Sequence, residues 1–192
     1  MTNLAPLRDY IAKYESRGDY NIVWGGIATR HRPPKPLVKM RIGEVLAWQD
    51  SIDAMYMSEA SGKYQIMEDT LRGLYKSAGL STQDLFNEAS QDKLADALLV
   101  RRGLDRYLNG EINAHSFANK LAREWASLPV VTGANRGKSY YAGDGLNKAH
   151  ASVDGIMAAI DAIKKAPASK PTPPAPVHWL SALLQSLFGG RS

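Results

Sequence analysis

The sequence contains no cysteine, so disulfide bonds take no part in its stability. Their absence leaves the cellular compartment open, because cysteine-free proteins occur both inside and outside cells. Residues 1–6 lack a charged segment followed by an apolar one, so we expect no signal peptide. No run reaches the ~20 apolar residues that a membrane-spanning helix needs. The chain also has no basic arm or tail and no internal repeat.

The chain has 192 residues, of which 44% are hydrophobic, and this predicts one domain with an ordinary core. The formal net charge of +5 favours anionic partners, which include nucleic acid, anionic lipid and acidic cell wall. By itself, this charge is most simply that of a mildly basic soluble protein.

Composition divides the chain into three parts. Residues 1–164 form the predicted domain. Residues 165–177 contain five prolines and predict an extended linker. Residues 178–192 predict an amphipathic C-terminal helix, whose apolar stripe consists of Trp179, Leu180, Leu183, Leu184, Leu187 and Phe188.

Within the domain, the patterns predict an α+β fold that is mainly helical. The segment 20–58 predicts a small lobe with a weak sheet, with short strands at 20–24 and 37–42. From Gly62 onward the periodicity is helical, and the first predicted helix covers 63–77. Ser81 and Ser90 are predicted N-caps, and one long helix is predicted to run from Ser90 to Gly110.

Glu15 is the strongest catalytic candidate. It follows an apolar helical stripe that includes Leu7, Ile11 and Tyr14, and Gly18 predicts the end of that helix. A carboxyl group at this edge would be half-buried, and burial raises the pKa of an acid. Glycoside cleavage needs such an acid to protonate the departing oxygen. A lone glutamate in a last helical turn is more often simply solvated.

Four blocks of sequence favour a catalytic role for Glu15 over that of a solvated glutamate. They are Tyr14-Glu15-Ser16, Tyr20–Gly26, Ser61-Gly62-Lys63-Tyr64-Gln65-Ile66 and Trp125-Ala126-Ser127-Leu128-Pro129. The first and third resemble the Glu-Ser and Gly-x-x-Gln motifs of lytic transglycosylases and goose-type lysozymes. In order and spacing, all four are most similar to the bacteriophage lambda endolysin family. The resemblance covers residues 7–163. It implies a two-lobed lysozyme-like fold, with Glu15 as general acid in a cleft between a small β-containing lobe and a larger helical one.

The implied activity is cleavage of the β-1,4 bond between N-acetylmuramic acid and N-acetylglucosamine in peptidoglycan. Other common phage lysozymes have Asp and Thr where this chain has Trp24 and Arg30, so their machinery for activating water is absent. This difference favours a lytic transglycosylase, in which the 6-hydroxyl of the muramic acid attacks and an anhydro product forms. A hydrolytic muramidase is the alternative, with Glu59 or Asp19 as second carboxylate. The alternative for Glu59 is a surface charge.

The other site candidates are predicted to bind substrate. Ser61, Tyr64 and Gln65 would line the cleft, with Gln65 hydrogen-bonded to sugar groups, although Ser61 also suits an N-cap and Tyr64 a core position. Tyr140 and Tyr141 lie on a Gly-rich loop, where exposed aromatic rings stack on sugars. Trp125 is assigned to the core. The histidines lack metal-ligand spacing, so we expect no metal and no cofactor.

A non-enzymatic module that binds DNA or protein is the alternative of another class. A helix-turn-helix would need basic residues on its second helix, and Arg101, Arg102 and Arg106 lie in the middle of a helix instead. We therefore expect peptidoglycan strands as partner, no nucleic acid, and a monomer. The resemblance implies accumulation in the host cytoplasm and action on the wall after another protein breaches the membrane. The segment 179–188 could contact a membrane surface or pack within the protein.

Overall fold

The computed structural model describes residues 2–145 and 147–165, with side chains up to residue 163. Seven α-helices form within these described residues. The predicted linker beyond residue 165 and the predicted C-terminal helix lie outside these residues. Among the described residues, no helix is both long enough and apolar enough to cross a membrane. The helices are α1 (Ala5–Glu15), α2 (Ile42–Ile52), α3 (Glu68–Leu74), α4 (Glu88–Arg101), α5 (Leu104–Leu108), α6 (Ala114–Leu121) and α7 (Val153–Lys165).

Helix α1 is the central element for the site, because it packs against both α7 and α4. Its inner face buries Leu7 and Ile11 completely or nearly so. On α7, Gly155 leaves room for the Tyr10 hydroxyl of α1, which a side chain at position 155 would overlap. The Arg8 guanidinium of α1 donates a 2.8 Å hydrogen bond to Asp96 of α4. These contacts fix the C-terminal end of α1, where Glu15 lies.

The mainly helical prediction is confirmed, but the predicted sheet is reduced to four isolated bridges in the described residues: Val23–Ser61, Ser61–Ile66, Arg41–Leu85 and Pro129–Ser139. The predicted strand at 37–42 is wrong. A 3₁₀ helix, Leu37–Lys39, occupies its first half, and α2 begins at Ile42. Leu37 and Met40 are both buried. This three-residue spacing suits the 3₁₀ turn, and Pro36 directly precedes it.

The predicted helix 63–77 is also wrong at its start, because α3 begins only at Glu68. Gly62 and Gln65 both have positive φ, at 75° and 49°, which a right-handed helix does not accommodate. Their segment instead reverses direction, and Ser61 pairs with Ile66. The N-cap of α4 is Asn87 rather than Ser90, since the Asn87 side chain accepts the Ser90 N–H. The long helix predicted after Ser90 breaks at Gly103, whose φ is 97°.

Candidate active site

Glu15 is the last residue of α1. The helix ends there because Ser16 leaves the helical conformation, with φ of −140°, and the two residues after it are left-handed, with φ of 57° at Arg17 and 87° at Gly18. The Gly18 N–H turns back to the Ala12 carbonyl at 3.2 Å and closes the helix end. The Glu15 side chain is thereby placed at the boundary between core and solvent, as the apolar stripe of α1 predicts.

Ser127 holds the Glu15 carboxyl group. Its hydroxyl donates a 2.5 Å hydrogen bond to Glu15 Oε1, across 112 residues of sequence. The Ser127 carbonyl accepts the backbone N–H groups of His150 and Ala151, at 2.8 and 3.0 Å. Ser127 itself is buried, so its hydroxyl has a fixed direction. One residue therefore ties the end of α1 to the segment that leads into α7.

Burial raises the pKa of Glu15 above its ordinary value, since an apolar surrounding disfavours the charged form. The hydrogen bond from Ser127 acts in the opposite direction because it stabilises the carboxylate, and a positive charge on His150 does the same. Burial is the larger effect. Because burial outweighs the stabilisation of the carboxylate, Glu15 keeps its proton to higher pH than an exposed glutamate does, and this property suits a general acid.

The carboxyl group opens onto a cavity of about 480 Å³. Its lining combines one carboxylate, cations, an imidazole and an apolar side chain: Lys13, Tyr14, Glu15, Ser16, Arg17, Ile22 and His150. A second cavity of about 600 Å³ shares Ile22 with it and has Asp19 and Arg32 in its lining. A third shares Lys13 and Arg17. The shared residues show that the second and third cavities each adjoin the cavity of Glu15.

Ser61 and Tyr64 lie in the interior. Ser61 is fully buried, its hydroxyl accepts a hydrogen bond from the Gln49 side chain, and no helix begins there, so the N-cap prediction is wrong. Tyr64 is 1% exposed and its hydroxyl donates a 2.7 Å hydrogen bond to Asp92. Of the two interpretations that the sequence allows for Tyr64, cleft or core, its burial corresponds to the core position. The indole of Trp125 is buried, as predicted, and donates to the Tyr64 carbonyl.

Gln65 is half-buried and has an unusual backbone for a residue with a side chain, with φ of 49°. Its amide nitrogen donates to the Gly62 carbonyl at 3.0 Å, which fixes the side chain over the turn. Left-handed backbone at a residue other than glycine is strained and tends to occur at functional sites. Sugar binding by Gln65 stays a prediction.

The two candidates for a second carboxylate lie in different surroundings. Glu59 is only 4% exposed, so its interpretation as a surface charge is wrong. Its Oε1 accepts the backbone N–H of Glu68 at 3.0 Å, where a negative charge stabilises the N-terminus of α3. Asp19 is exposed, accepts the Asn21 N–H at 2.8 Å, and lines the cavity next to that of Glu15.

Tyr140 and Tyr141 are exposed, at 47% and 41%. Their rings contact each other edge to face, with centroids 5.2 Å apart. The Arg123 guanidinium lies over the Tyr140 ring, and the Tyr141 hydroxyl donates to the Arg123 carbonyl. Both rings are therefore held in place and present apolar surface to solvent, which is compatible with the predicted stacking on sugars.

Sequence reasoning missed the roles of Ser127, His150, Lys13 and Arg17. Ser127 belongs to the quoted 125–129 block, so that block carried the signal for a contact with Glu15. His150 has no local motif, and only the approach of its segment to Ser127 brings it to the cavity. Within the described residues, no group of histidine and acidic side chains is arranged to hold a metal ion.

A half-buried carboxyl group with a raised pKa, at the edge of a cavity lined otherwise by cations and uncharged side chains, has the features of an acid-catalysed enzyme site. The chain belongs to the Endolysin family, whose sequence model matches residues 12–172, from the last turn of α1 to beyond α7. Peptidoglycan degradation in phage lysis is the function of this family, so the chain is a peptidoglycan-degrading lysis enzyme. No curated protein and no solved structure matches it.

Proposed function

We propose that the protein is a lytic transglycosylase that cleaves the β-1,4 bond between N-acetylmuramic acid and N-acetylglucosamine, on a two-lobed lysozyme-like fold. One observation carries the proposal: Glu15 is the single carboxylate among the described residues that line its cavity. A transglycosylase needs one carboxyl group, which acts first as acid and then as base. A hydrolase needs a second group to activate water or to form a covalent intermediate.

In this reaction, protonated Glu15 gives its proton to the glycosidic oxygen while the bond from that oxygen to C1 of the muramic acid breaks. The N-acetylglucosamine side leaves with a 4-hydroxyl group. The ionised Glu15 then takes the proton of the 6-hydroxyl of the muramic acid, whose oxygen forms a new bond to C1. The product ends in 1,6-anhydromuramic acid, Glu15 is protonated again, and no water is consumed.

Hydrolysis on the same scaffold is the second candidate, and the position of Asp19 is the observation that favours it. Asp19 is exposed in the adjoining cavity, where a carboxylate could reach a water molecule. Glu59 is less suited to this role, because its carboxylate is buried and accepts a hydrogen bond from the start of α3.

Analysis of the products separates the two reactions. We expect digests of purified peptidoglycan to contain anhydromuramic ends, and assays for reducing ends to read low. Mass spectrometry of digests made in ¹⁸O-labelled water distinguishes anhydromuramic ends from reducing ends that carry the label. Reducing muropeptides that carry the label as main product would show a hydrolase, and Asp19→Asn would then be the first variant to examine.

The pH profile tests the contact between Ser127 and Glu15. We expect Ser127→Ala to raise the pKa of Glu15 further, because the variant loses the hydroxyl that stabilises the carboxylate. Cleavage needs protonated Glu15, so activity falls as pH rises through that pKa. The alkaline limb of kcat/KM should therefore move to higher pH in the variant. An unchanged limb, or a move to lower pH, would contradict the assignment of Glu15 as the acid.

The DNA-binding alternative is weakened by the pairing of its cations. Arg101 and Arg102 both contact the Glu124 carboxylate, at 2.7 and 2.6 Å. Arg106 contacts Glu111 at 3.2 Å. Cations that are neutralised in this way are poorly disposed to bind phosphates.

The proposal extends to the setting in which the enzyme acts. The protein is proposed to be a monomer that accumulates in the host cytoplasm. It would reach the wall through a membrane breach made by another protein. Membrane contact through 179–188 stays a prediction, since that segment lies outside the described residues.

A further inference from the structure

The cavity of Glu15 is lined by two cations that form no ion pair with a carboxylate of the described residues. Lys13 and Arg17 are both exposed and line this cavity and its neighbour. Neither forms an ion pair with any carboxylate of the described residues. Lys13 lies over the Tyr14 ring, 5.2 Å from its centroid. Arg32, in the cavity that shares Ile22, donates only to the Ile27 carbonyl, at 3.3 Å.

Other cations around α1 have carboxylate partners. Arg8 lies 2.8 Å from Asp96, and Lys63, which lines the third cavity together with Lys13 and Arg17, lies 3.1 Å from Asp9. Exposed ion pairs add little to stability, so the lack of carboxylate partners costs Lys13 and Arg17 little and leaves their charges available to a ligand. They do create a positive potential, which favours negatively charged groups on a bound polymer.

The backbone at Arg17 adds an independent observation. Its φ of 57° lies in the left-handed region, where glycine would be free of strain. The chain nevertheless has a long cationic side chain at this position, two residues after the acid. Strained backbone of this kind tends to occur at functional sites, and here it lies close to the candidate acid.

We propose that Lys13 and Arg17 bind carboxylates of the peptide stem on the muramic acid next to the cleaved bond, so that the enzyme prefers strands whose stems have free carboxylates. This inference rests on the proposed function and specifies the substrate of the same site. The stem is attached to the sugar that reacts over Glu15, so its carboxylates lie within reach of the residues around that cavity. Arg17 offers a planar donor group that matches a carboxylate, and Lys13 adds a point charge.

Three substrates test this inference. They are peptidoglycan strands with free stem carboxylates, the same strands with these carboxylates amidated, and strands whose stems have been removed. Removal of the stem frees the lactyl carboxylate of the muramic acid, which forms an amide while the stem is attached, so the third substrate has a carboxylate but no stem. The enzyme is the full chain, compared with the double variant Lys13→Gln/Arg17→Gln. Lys76→Gln is the matched control, because Lys76 is also an exposed lysine over a tyrosine ring, 5.9 Å from the Tyr75 centroid, and lines none of the three cavities.

We expect the wild-type kcat/KM for free-carboxylate strands to exceed that for amidated strands roughly tenfold, the scale of two exposed charge contacts. The ratio should fall to about one in the double variant, stay at the wild-type value in Lys76→Gln, and decrease with added salt. A wild-type ratio near one, or a ratio that survives in the double variant, would overturn the inference. An equal loss of kcat/KM in the double variant on stem-free strands would overturn it too, since those strands have no stem carboxylates for Lys13 and Arg17 to bind. If the wild-type protein cleaved none of the three substrates, the proposed function itself would fail.

Discussion

Replacement of Glu15 by glutamine is expected to lower peptidoglycan cleavage at least ~100-fold, since general acid catalysis contributes ~10²–10⁴-fold. Glutamine keeps the size of the side chain and can still accept the hydrogen bond from Ser127. It cannot give a proton to the departing oxygen or accept one from the muramic 6-hydroxyl. No other carboxylate of the described residues lines the cavity to replace it. Release of soluble muropeptides from purified peptidoglycan measures the loss.

Glu111→Gln is the matched control, because Glu111 is exposed, pairs with Arg106 and lines none of the cavities described here. It should cleave at the wild-type rate. Near-normal turnover by a folded Glu15→Gln protein would remove Glu15 from the mechanism.

Stability gives a second measurement on the same variant. Burial raises the pKa of Glu15 in the folded state, so its contribution to the free energy of unfolding is present at low pH and is lost as pH rises through the folded pKa. Glu15→Gln has no such loss. We therefore expect its thermal midpoint at neutral pH to equal or exceed that of the wild-type protein, which separates a chemical defect from a folding defect.

Gly62→Ala is expected to destabilise the protein by about 2–5 kcal/mol, the sum of the cost of overpacking and the cost of a left-handed backbone at a residue other than glycine. Gly62 has φ of 75°, and a methyl group there would overlap Oε1 of Gln91. Gln91 is fully buried and cannot move away easily, because its side chain also bonds the Lys63 N–H and the carbonyls of Tyr20 and Phe86. In a chain of this size the thermal midpoint should fall on the order of 10 °C.

Gly79→Ala separates the two causes. Gly79 also has a left-handed backbone, with φ of 70°, but a methyl group there would meet nothing within 4 Å. We expect it to lose only the backbone part, about 1–2 kcal/mol. Equal losses in the two variants, measured by urea denaturation, would show that contact with Gln91 has no role.

The surroundings of Gly62 also show that a local sequence pattern can predict a close contact without identifying the group that makes it. A glycine before a Tyr-Gln pair indicates close approach of the backbone to another group, and the sequence suggests a ligand. In the structure, the group that approaches is the protein's own Gln91 together with the Phe86 ring. Sequence alone shows that room is needed at position 62, whereas only packing decides what fills it.

The sequence by itself determined the helical character, the place of Glu15 on the edge of α1, and the end of that helix near Gly18. These features depend on neighbours within about one helical turn, so a local pattern contains them. Asn113 is a further local signal, because asparagine favours the N-cap position and its side chain accepts the Ser116 N–H at the start of α6.

The tertiary structure decided which residues surround Glu15. Ser127 reaches it across 112 positions, and His150 arrives only because its backbone is bonded to Ser127. The same long-range packing placed Tyr64 in the core and turned Glu59 towards the start of α3. Such contacts join segments that no periodicity connects, and the burial that raises the pKa of Glu15 exists only when those segments come together. The sequence therefore singled out Glu15 as the candidate acid, and the fold supplied the buried environment that raises its pKa.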